Sequence, residues 1–300
     1  MERDSFLYKA RRRCQAAAHK LLPDRALCRF YSRVVLGKWP DLDDPKTFNE
    51  KLQWMKLYYY PFDPMVVNGA DKLKSREIAA SRGVSCGPVP LLGVWEDAKD
   101  IDFDSLPKSF VLKCNHGCAY NIAVPDKDKL DKPAAVKQLN RWLKEDFGVF
   151  NIEPHYSMIK ERRVFCEEYL GEKLIDYKFF CFNGVPKIIC VTENLYHDRD
   201  ARIGFVDVEG NSVVIRRDDY KAIENIEFPS FYGEMLEDTK RLCNGYAFVR
   251  VDFFVTKNTY YFAEFTFTPG AAMIPFKPES IDEEWGNMLD ISEVMQKYGK

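Results

Sequence analysis

The chain has 300 residues, 46% of them hydrophobic and 14% aromatic, enough to bury one large core or two to three small lobes. Lys and Arg total 44 against 46 Asp and Glu, a formal net charge of -2, so no global positive field exists to hold a nucleic-acid backbone and nucleic acid is excluded as a partner. No apolar run reaches membrane-spanning length, and nine cysteines without a CxxC pair or an even framework read as reduced thiols, which places the protein in the cytoplasm.

In chain order, residues 1 to about 60 are expected to be mainly helical. The opening MERDSFLYKARRRCQAAAHKLL is basic but lacks the continuous apolar stretch of a signal peptide. It reads either as an amphipathic helix drawn to an anionic membrane surface or acidic partner, or as a solvated helix face; the second is preferred because no Trp-rich or Phe-rich insertion edge stands out. LCRFYSRVVLG continues the helical spacing, and after the breaker-rich PDLDDPKT the Asp44, Pro45 and Thr47 signals start a helix over KTFNEKLQWMKLYYY. Trp54 and Tyr58 to Tyr60 are expected to be packing surface.

A helix from Asp71 stops at Arg82-Gly83, and VPLLGVW reads as a strand. The turn-rich DAKDIDFDSLP, the strand SFVLKCN, a Gly-containing loop and NIAVP follow. Residues 132 to 147 form an amphipathic helix, and RRVFCEEYL, IDYKFFCFNG and PKIICVTE supply three short strands. Alternation of β-rich runs with helices argues for α+β lobes rather than one regular parallel sheet.

The strongest chemical signal is the hairpin FVRVDFFVTKNTYYFAEFTFTPG, Phe248 to Gly270. With Lys257, Asn258 and Thr259 as its loop, Asp252 falls opposite Glu264 and Arg250 opposite Thr266, all on one face. Opposed carboxylates need a neutralising cation. Mg²⁺ fits, since it takes one or two carboxylates and leaves the other positions to water and phosphate; a plain hairpin with both acids solvated or paired to Lys257 or Arg250 fits the pattern equally. Lys113 leaves its strand into CNHGCAYN, where it can meet phosphate oxygens, or it is a surface lysine beside a turn glycine, Gly117.

Cys114, His116 and Cys118 lack the second cluster that structural zinc requires. His155 and His197 stand alone, and no Ser-His-Asp or Cys-His set can be assembled. There is no GxxxxGK[ST] and no GxGxxG after a strand, so any nucleotide site is of another kind. The strand end Glu167-Glu168-Tyr169-Leu170, followed by Gly171 and Asp176-Tyr177-Lys178, exposes backbone groups for an adenine edge and a carboxylate for ribose, or is a charged edge strand.

Taken in order, Asp71-Lys72, Lys113 with His116-Gly117, Glu167 to Leu170, Arg250-Val251-Asp252, and Glu264 with Pro269-Gly270 resemble the ATP-grasp superfamily. The runs KTFNEKLQWMKL, ADK, FVLKCNHG, DYKFFCFNG, VRVDFF and FAEFTFTPG resemble its TupA-like branch, associated with teichuronopeptide and capsular polysaccharide synthesis, over roughly residues 45 to 290. The resemblance implies an ATP-grasp fold of two α+β lobes gripping ATP, with a helical N-terminal region (1–70), a small lobe with the phosphate-binding loop (71–170) and a C-terminal lobe with the Mg²⁺ site (171–300).

By the same resemblance, Lys72, Lys113, His116 and Gly117 lie at ATP phosphates, Glu167, Glu168, Tyr169 and Leu170 along adenine, and Asp176 at ribose. Asp252, Glu264 and Thr266 hold Mg²⁺, Arg250 stabilises the transferring phosphoryl group, and Lys178 is a further phosphate contact. Two departures stand out: Thr266 replaces the usual Asn, and Ala119 a second loop glycine. Such enzymes phosphorylate a carboxylate and let an amine displace phosphate. The expected activity is therefore a carboxylate–amine ligase on small-molecule, sugar-linked substrates, with peripheral association with membrane-bound polysaccharide machinery as a further expectation.

The loop Tyr196 to Arg202 is a candidate substrate loop, with His197, Arg199 and Arg202 as contacts, or a solvated charged loop. Rival activities are a glycosyltransferase, suggested by Asp41-Leu42-Asp43 and Asp102-Phe103-Asp104, and an ATP-dependent small-molecule or sugar kinase.

Overall fold

Among the described residues, ten strands form two sheets that share one apolar core. The computed structural model describes residues 6–172, 174–193, 201–215, 217 and 220–299. Five helices come first: α1 (Phe6–Leu21), α2 (Asp24–Leu36), α3 (Phe48–Tyr58), α4 (Pro64–Ala70) and α5 (Lys74–Ser81). The smaller sheet follows, from β1 (Leu91–Trp95), β2 (Phe110–Cys114), β3 (Asn121–Val124) and β4 (Val164–Glu168), in the antiparallel order β1-β4-β2-β3. Helices α6 (Lys132–Lys144) and α7 (Pro154–Ser157) lie between β3 and β4 in the chain.

The larger sheet contains β5 (Ile175–Phe182), β6 (Val185–Glu193), β7 (Arg202–Asp207), β8 (Lys221–Ala222), β9 (Phe248–Val255) and β10 (Tyr260–Thr266), in the order β10-β9-β5-β6-β7-β8. Only the β7–β8 pair is parallel among these. Helix α8 (Tyr232–Cys243) precedes β9, and α9 (Ser280–Met288) and α10 (Ser292–Tyr298) close the described chain.

The helix expected after PDLDDPKT starts on a reciprocal cap. Thr47 Oγ1 accepts from the Glu50 amide at 3.3 Å, and Glu50 Oε2 accepts from the Thr47 amide at 3.0 Å. Its apolar face carries Phe48 into a ring cluster with Phe182, Phe248, Phe276 and Trp285. The helix expected over 132–147 ends at Lys144, because the Asp146 carboxylate accepts from the Gly148 amide and Ser157 Oγ and starts a tighter turn instead.

Period-2 alternation divides each central strand of the large sheet. On β5 and β9, Phe179, Val251 and Phe253 are buried on one face, and Asp176, Lys178, Arg250 and Asp252 occupy the other. That second face is apolar at one end, where Phe180 and Phe182 meet Trp285, and polar at the other. The polar end is the site.

Candidate active site

The β9–β10 hairpin places Asp252 opposite Glu264 and Arg250 opposite Thr266, by a route different from the expected three-residue loop. Four residues, Thr256 to Thr259, make the turn, closed by the Thr256 amide donating to the Thr259 carbonyl at 2.9 Å. That turn pairs Phe253 with Phe262, a register that would put Glu264 opposite Val251 on the other face. A bulge between Phe262 and Glu264 inserts one residue and restores Glu264 to the face of Asp252.

The two carboxylates are neutralised by side chains. Arg250 grips Asp252 bidentately, Nε to Oδ1 at 2.7 Å and Nη2 to Oδ2 at 2.6 Å, and donates to Thr266 Oγ1 at 3.1 Å. Lys72 Nζ lies 2.9 Å from Glu264 Oε2. Burial lifts Asp252, with Arg250 and then Lys178 opposing it. Burial would also lift Glu264, but Lys72, Arg250 and Lys113 outweigh it and hold that carboxyl at about 2. The Glu264 carboxylate is thus ionised at any ordinary pH.

On the neighbouring strands, Lys178 faces Asp252 across β5 and β9. Its Nζ donates to Thr192 Oγ1 at 2.6 Å and lies 3.4 Å from Asp176 Oδ1, while Thr192 donates to Asp176 Oδ2 at 3.2 Å. Asp176 and Lys178 are therefore one closed triad with Thr192. Beside it opens a cavity of about 180 Å³ lined by Lys178, Arg250, Phe180, Phe205, Phe276 and Trp285, among others. The lining is mainly apolar.

The small sheet supplies the facing charges. Lys113, at the end of β2, pairs with Glu167, which Arg76 of α5 also meets at 2.6 Å. A narrow groove runs along Val89, Val111, Lys113, Glu167 to Gly171, Leu174 and Phe254. The Lys113 ammonium lies 5.4 Å from the Phe254 ring centre. Glu168 is exposed, whereas Glu167 is buried.

His116 and Gly117 take other places. The imidazole is fully buried, its Nε2 is 3.0 Å from the Trp142 carbonyl, and burial followed by the nearby Arg162 charge lowers it to about 4, so it is a neutral core histidine. A Cβ on Gly117 would meet Tyr120 at 2.9 Å and Phe147 at 3.0 Å, so the glycine is required by packing. Lys72 is tied to the same loop through its amide, which donates to the Asn115 carbonyl at 3.1 Å.

Arg202 is the exposed first residue of β7; His197 and Arg199 lie outside the described residues. The two acidic triplets are turns. Asp41 accepts from the Asp43 and Asp44 amides, and Asp102 from the Asp104 amide.

Several residues of the site were not singled out from sequence. Arg76 and Thr192 complete the two ion-pair clusters, and three buried polar residues of α3 hold the turn that follows β10. Gly270, Ala271 and Ala272 all have positive φ, 59°, 57° and 61°. Such a run is costly for alanine and needs support. Lys56 Nζ donates to the Ala271 carbonyl at 2.9 Å, Gln53 Nε2 to that of Ala272 at 3.1 Å, and Asn49 bonds both the amide and the carbonyl of Ile274. The signal was present: Asn49, Gln53 and Lys56 stand at i, i+4 and i+7, a polar stripe on the buried face of a helix.

Hard oxygen donors on one face, two of them carboxylates, fit Mg²⁺; among the described residues no group of three or more His, Cys, Asp or Glu converges to hold a metal alone. The groove is lined by Val89, Val111, Leu170, Leu174 and Phe254 beside Lys113, which suits a flat apolar ring next to an anion, and Lys72 and Lys113 suit phosphate.

Comparison with solved structures finds a D-alanine–D-alanine ligase from Bacillus anthracis complexed with ATP, 19% identical, covering 78% of this chain and 70% of that one, TM-score 0.46. An L-amino acid ligase from Bacillus licheniformis is 14% identical over 76% of this chain and 50% of that one, TM-score 0.45. An N5-carboxyaminoimidazole synthetase from Staphylococcus aureus complexed with ADP is 15% identical over 67% and 45%, TM-score 0.39. No curated protein matches. The family model described as TupA-like ATPgrasp matches residues 50–290, and the chain belongs to that ATP-grasp family.

Proposed function

We propose that this ATP-dependent ligase joins an amine to a carboxylate through an acylphosphate, and that the acid is a sugar acid of surface polysaccharide synthesis. The carrying observation is the pair of opposed carboxylates, Asp252 and Glu264, set between Arg250 and Lys72. Lobes 71–170 and 171–300 would close on ATP, with Glu167 to Leu170 along adenine and Lys72 and Lys113 on the phosphates. Asp176 would bond ribose once released from Lys178.

Asp252 and Glu264, with Thr266 as a neutral neighbour, would hold Mg²⁺, whose charge when bound offsets that of the phosphate tail. The chain's own cations do the positioning. Lys72 and Lys113 are each paired to a carboxylate, so phosphate binding is an exchange of partners rather than the filling of bare charges. In the first step a substrate carboxylate oxygen bonds to the γ-phosphorus as the bond to the ADP oxygen breaks. In the second an amine nitrogen bonds to the acyl carbon, inorganic phosphate leaves, and the nitrogen releases a proton. Arg250, held in place by Asp252 and Thr266, would face the transferring group, and no Ser, Cys or His nucleophile is required.

The cavity beside Lys178 and Arg250 would take the acid, its aromatic walls stacking on the apolar face of a pyranose ring. A cytoplasmic enzyme of this kind is tested by ADP release against paired uronates and amino acids, with mass detection of an amide. Release requiring both partners supports the ligase. Release with a hydroxyl acceptor alone makes it a kinase, and sugar-nucleotide turnover without ATP makes it a transferase.

A further inference from the structure

We propose that the outer faces of α1 and α2 dock the protein on an anionic lipid surface, independently of which acid and amine the site takes. Between Phe6 and Trp39 stand nine Lys or Arg and a single acidic residue, Asp24, in a chain whose formal net charge is -2, so the remainder is negative. Asp24 is itself occupied by His19 at 3.1 Å. The segment forms a cationic pole along an otherwise acidic chain, with Arg25 paired to Asp43 and Lys38 to Asp282.

The structure also supplies the insertion edge that the sequence did not display. Phe6 is 83% exposed, Val34 67% and Trp39 56%, with Leu7, Leu21, Leu22 and Phe30 also exposed. On α1, Phe6, Ala10, Arg13, Ala17, Lys20 and Leu21 fall on one face at helical spacing; on α2, Ala26, Arg29, Phe30, Arg33 and Val34 do the same. The opposite face of α1 is anchored: Arg12 meets Glu145 at 2.6 Å and Tyr120 Oη at 2.9 Å, and lies 4.0 Å from the Phe150 ring centre. Arg12 is therefore structural, and the outward cations are what a partner would meet.

Lys and Arg interleaved with Phe, Trp and Leu suit the headgroup boundary of a bilayer, where the rings enter the interface and the cations pair with phosphate. An anionic surface attracts this pole and repels the acidic remainder, which orients the protein on it. Among the described residues no helix is long and apolar enough to cross a membrane, so the docking is peripheral.

The full chain is sedimented with phosphatidylcholine vesicles with and without phosphatidylglycerol. Binding is expected to the anionic vesicles only and to weaken as salt rises. Arg13→Glu with Arg29→Glu should reduce partitioning about tenfold or more, as should Phe6→Ser with Phe30→Ser, with ATP turnover in the absence of vesicles unchanged. Equal binding to neutral vesicles, or no binding at low salt, overturns the proposal. So does self-association that the charge reversals abolish while vesicles leave the protein in solution, since the occupant would then be a second copy.

Discussion

The two jaws of the site hold charge differently. On the small lobe, Arg76 and Lys113 converge on one buried carboxylate, Glu167, leaving a surplus of positive charge. On the large sheet, Lys178 and Arg250 are matched by Asp176 and Asp252, and Glu264 is matched by Lys72, which reaches it from the segment ahead of α5. In the first, an anion that takes Lys113 from Glu167 leaves that carboxylate still paired with Arg76. The second is balanced, so a polyphosphate arriving there must bring a cation or displace a carboxylate from its lysine, which is why the opposed acids point to Mg²⁺ and a lone lysine cluster would not.

The largest break in this comparison comes from the balanced side. Asp252→Asn or Glu264→Gln should reduce Mg²⁺-dependent ADP release by about a thousandfold or more. Asp252→Asn also leaves Arg250 without its buried counter-charge and should lower thermal stability by about 3 kcal/mol, read by denaturant melts. Full activity in both variants would remove the metal assignment. On the surplus side, Lys113→Met should act on ATP affinity more than on turnover, raising the ATP KM by about tenfold to a hundredfold, equivalent to about 1.4 to 3 kcal/mol. An unchanged KM would show that Lys113 serves Glu167 alone.

A smaller effect sharpens the comparison from behind the site. Lys56→Met removes the donor to the Ala271 carbonyl, and Gln53→Leu that to Ala272. Each should cost about 1–3 kcal/mol in denaturant unfolding and lower kcat with little change in ATP KM, because the turn they hold borders the cavity beside Lys178, not the groove along Glu167 to Gly171. A raised ATP KM instead would place that turn on the nucleotide side.

At neutral pH the smallest effect is that of the two buried histidines, whose contribution emerges only on acidification. Burial, followed by the nearby Lys56 charge, lowers His155 to about 3, and His116 is lowered to about 4. Both are depressed below the 6.5 of a free histidine, so the unfolded chain binds more protons once pH falls below that value. Stability should be constant above about 6.5 and fall toward pH 4, by at most about 1.4 kcal/mol per pH unit for each histidine. His155→Phe should flatten the slope measured by denaturant melts at several pH values. An unaltered slope would show that His155 does not titrate on unfolding.

Local pattern determined a good deal. The β9 and β10 strands alternate so regularly that their polar face could be read residue by residue, and Thr47 with Glu50 carries its helix start in four residues. His116 was not legible in this way: a histidine before a glycine in a lysine loop looks the same in sequence whether its ring faces a ligand or the Trp142 carbonyl. The Asp252–Glu264 opposition was legible only through two offsetting differences, a longer turn and a bulge, because register is a sum of local choices that sequence does not fix one by one.

The sequence alone therefore determined which strand faces are polar, where helices start, and the family, all properties of residues close together along the chain or of ordered motifs. Tertiary structure decided who neutralises whom: Lys72 with Glu264, Lys113 and Arg76 with Glu167, and Lys56 beneath a left-handed turn more than two hundred positions away. The physical reason is that charge pairing in a cleft depends on distances across lobes, and burial strengthens those interactions only after the chain has folded.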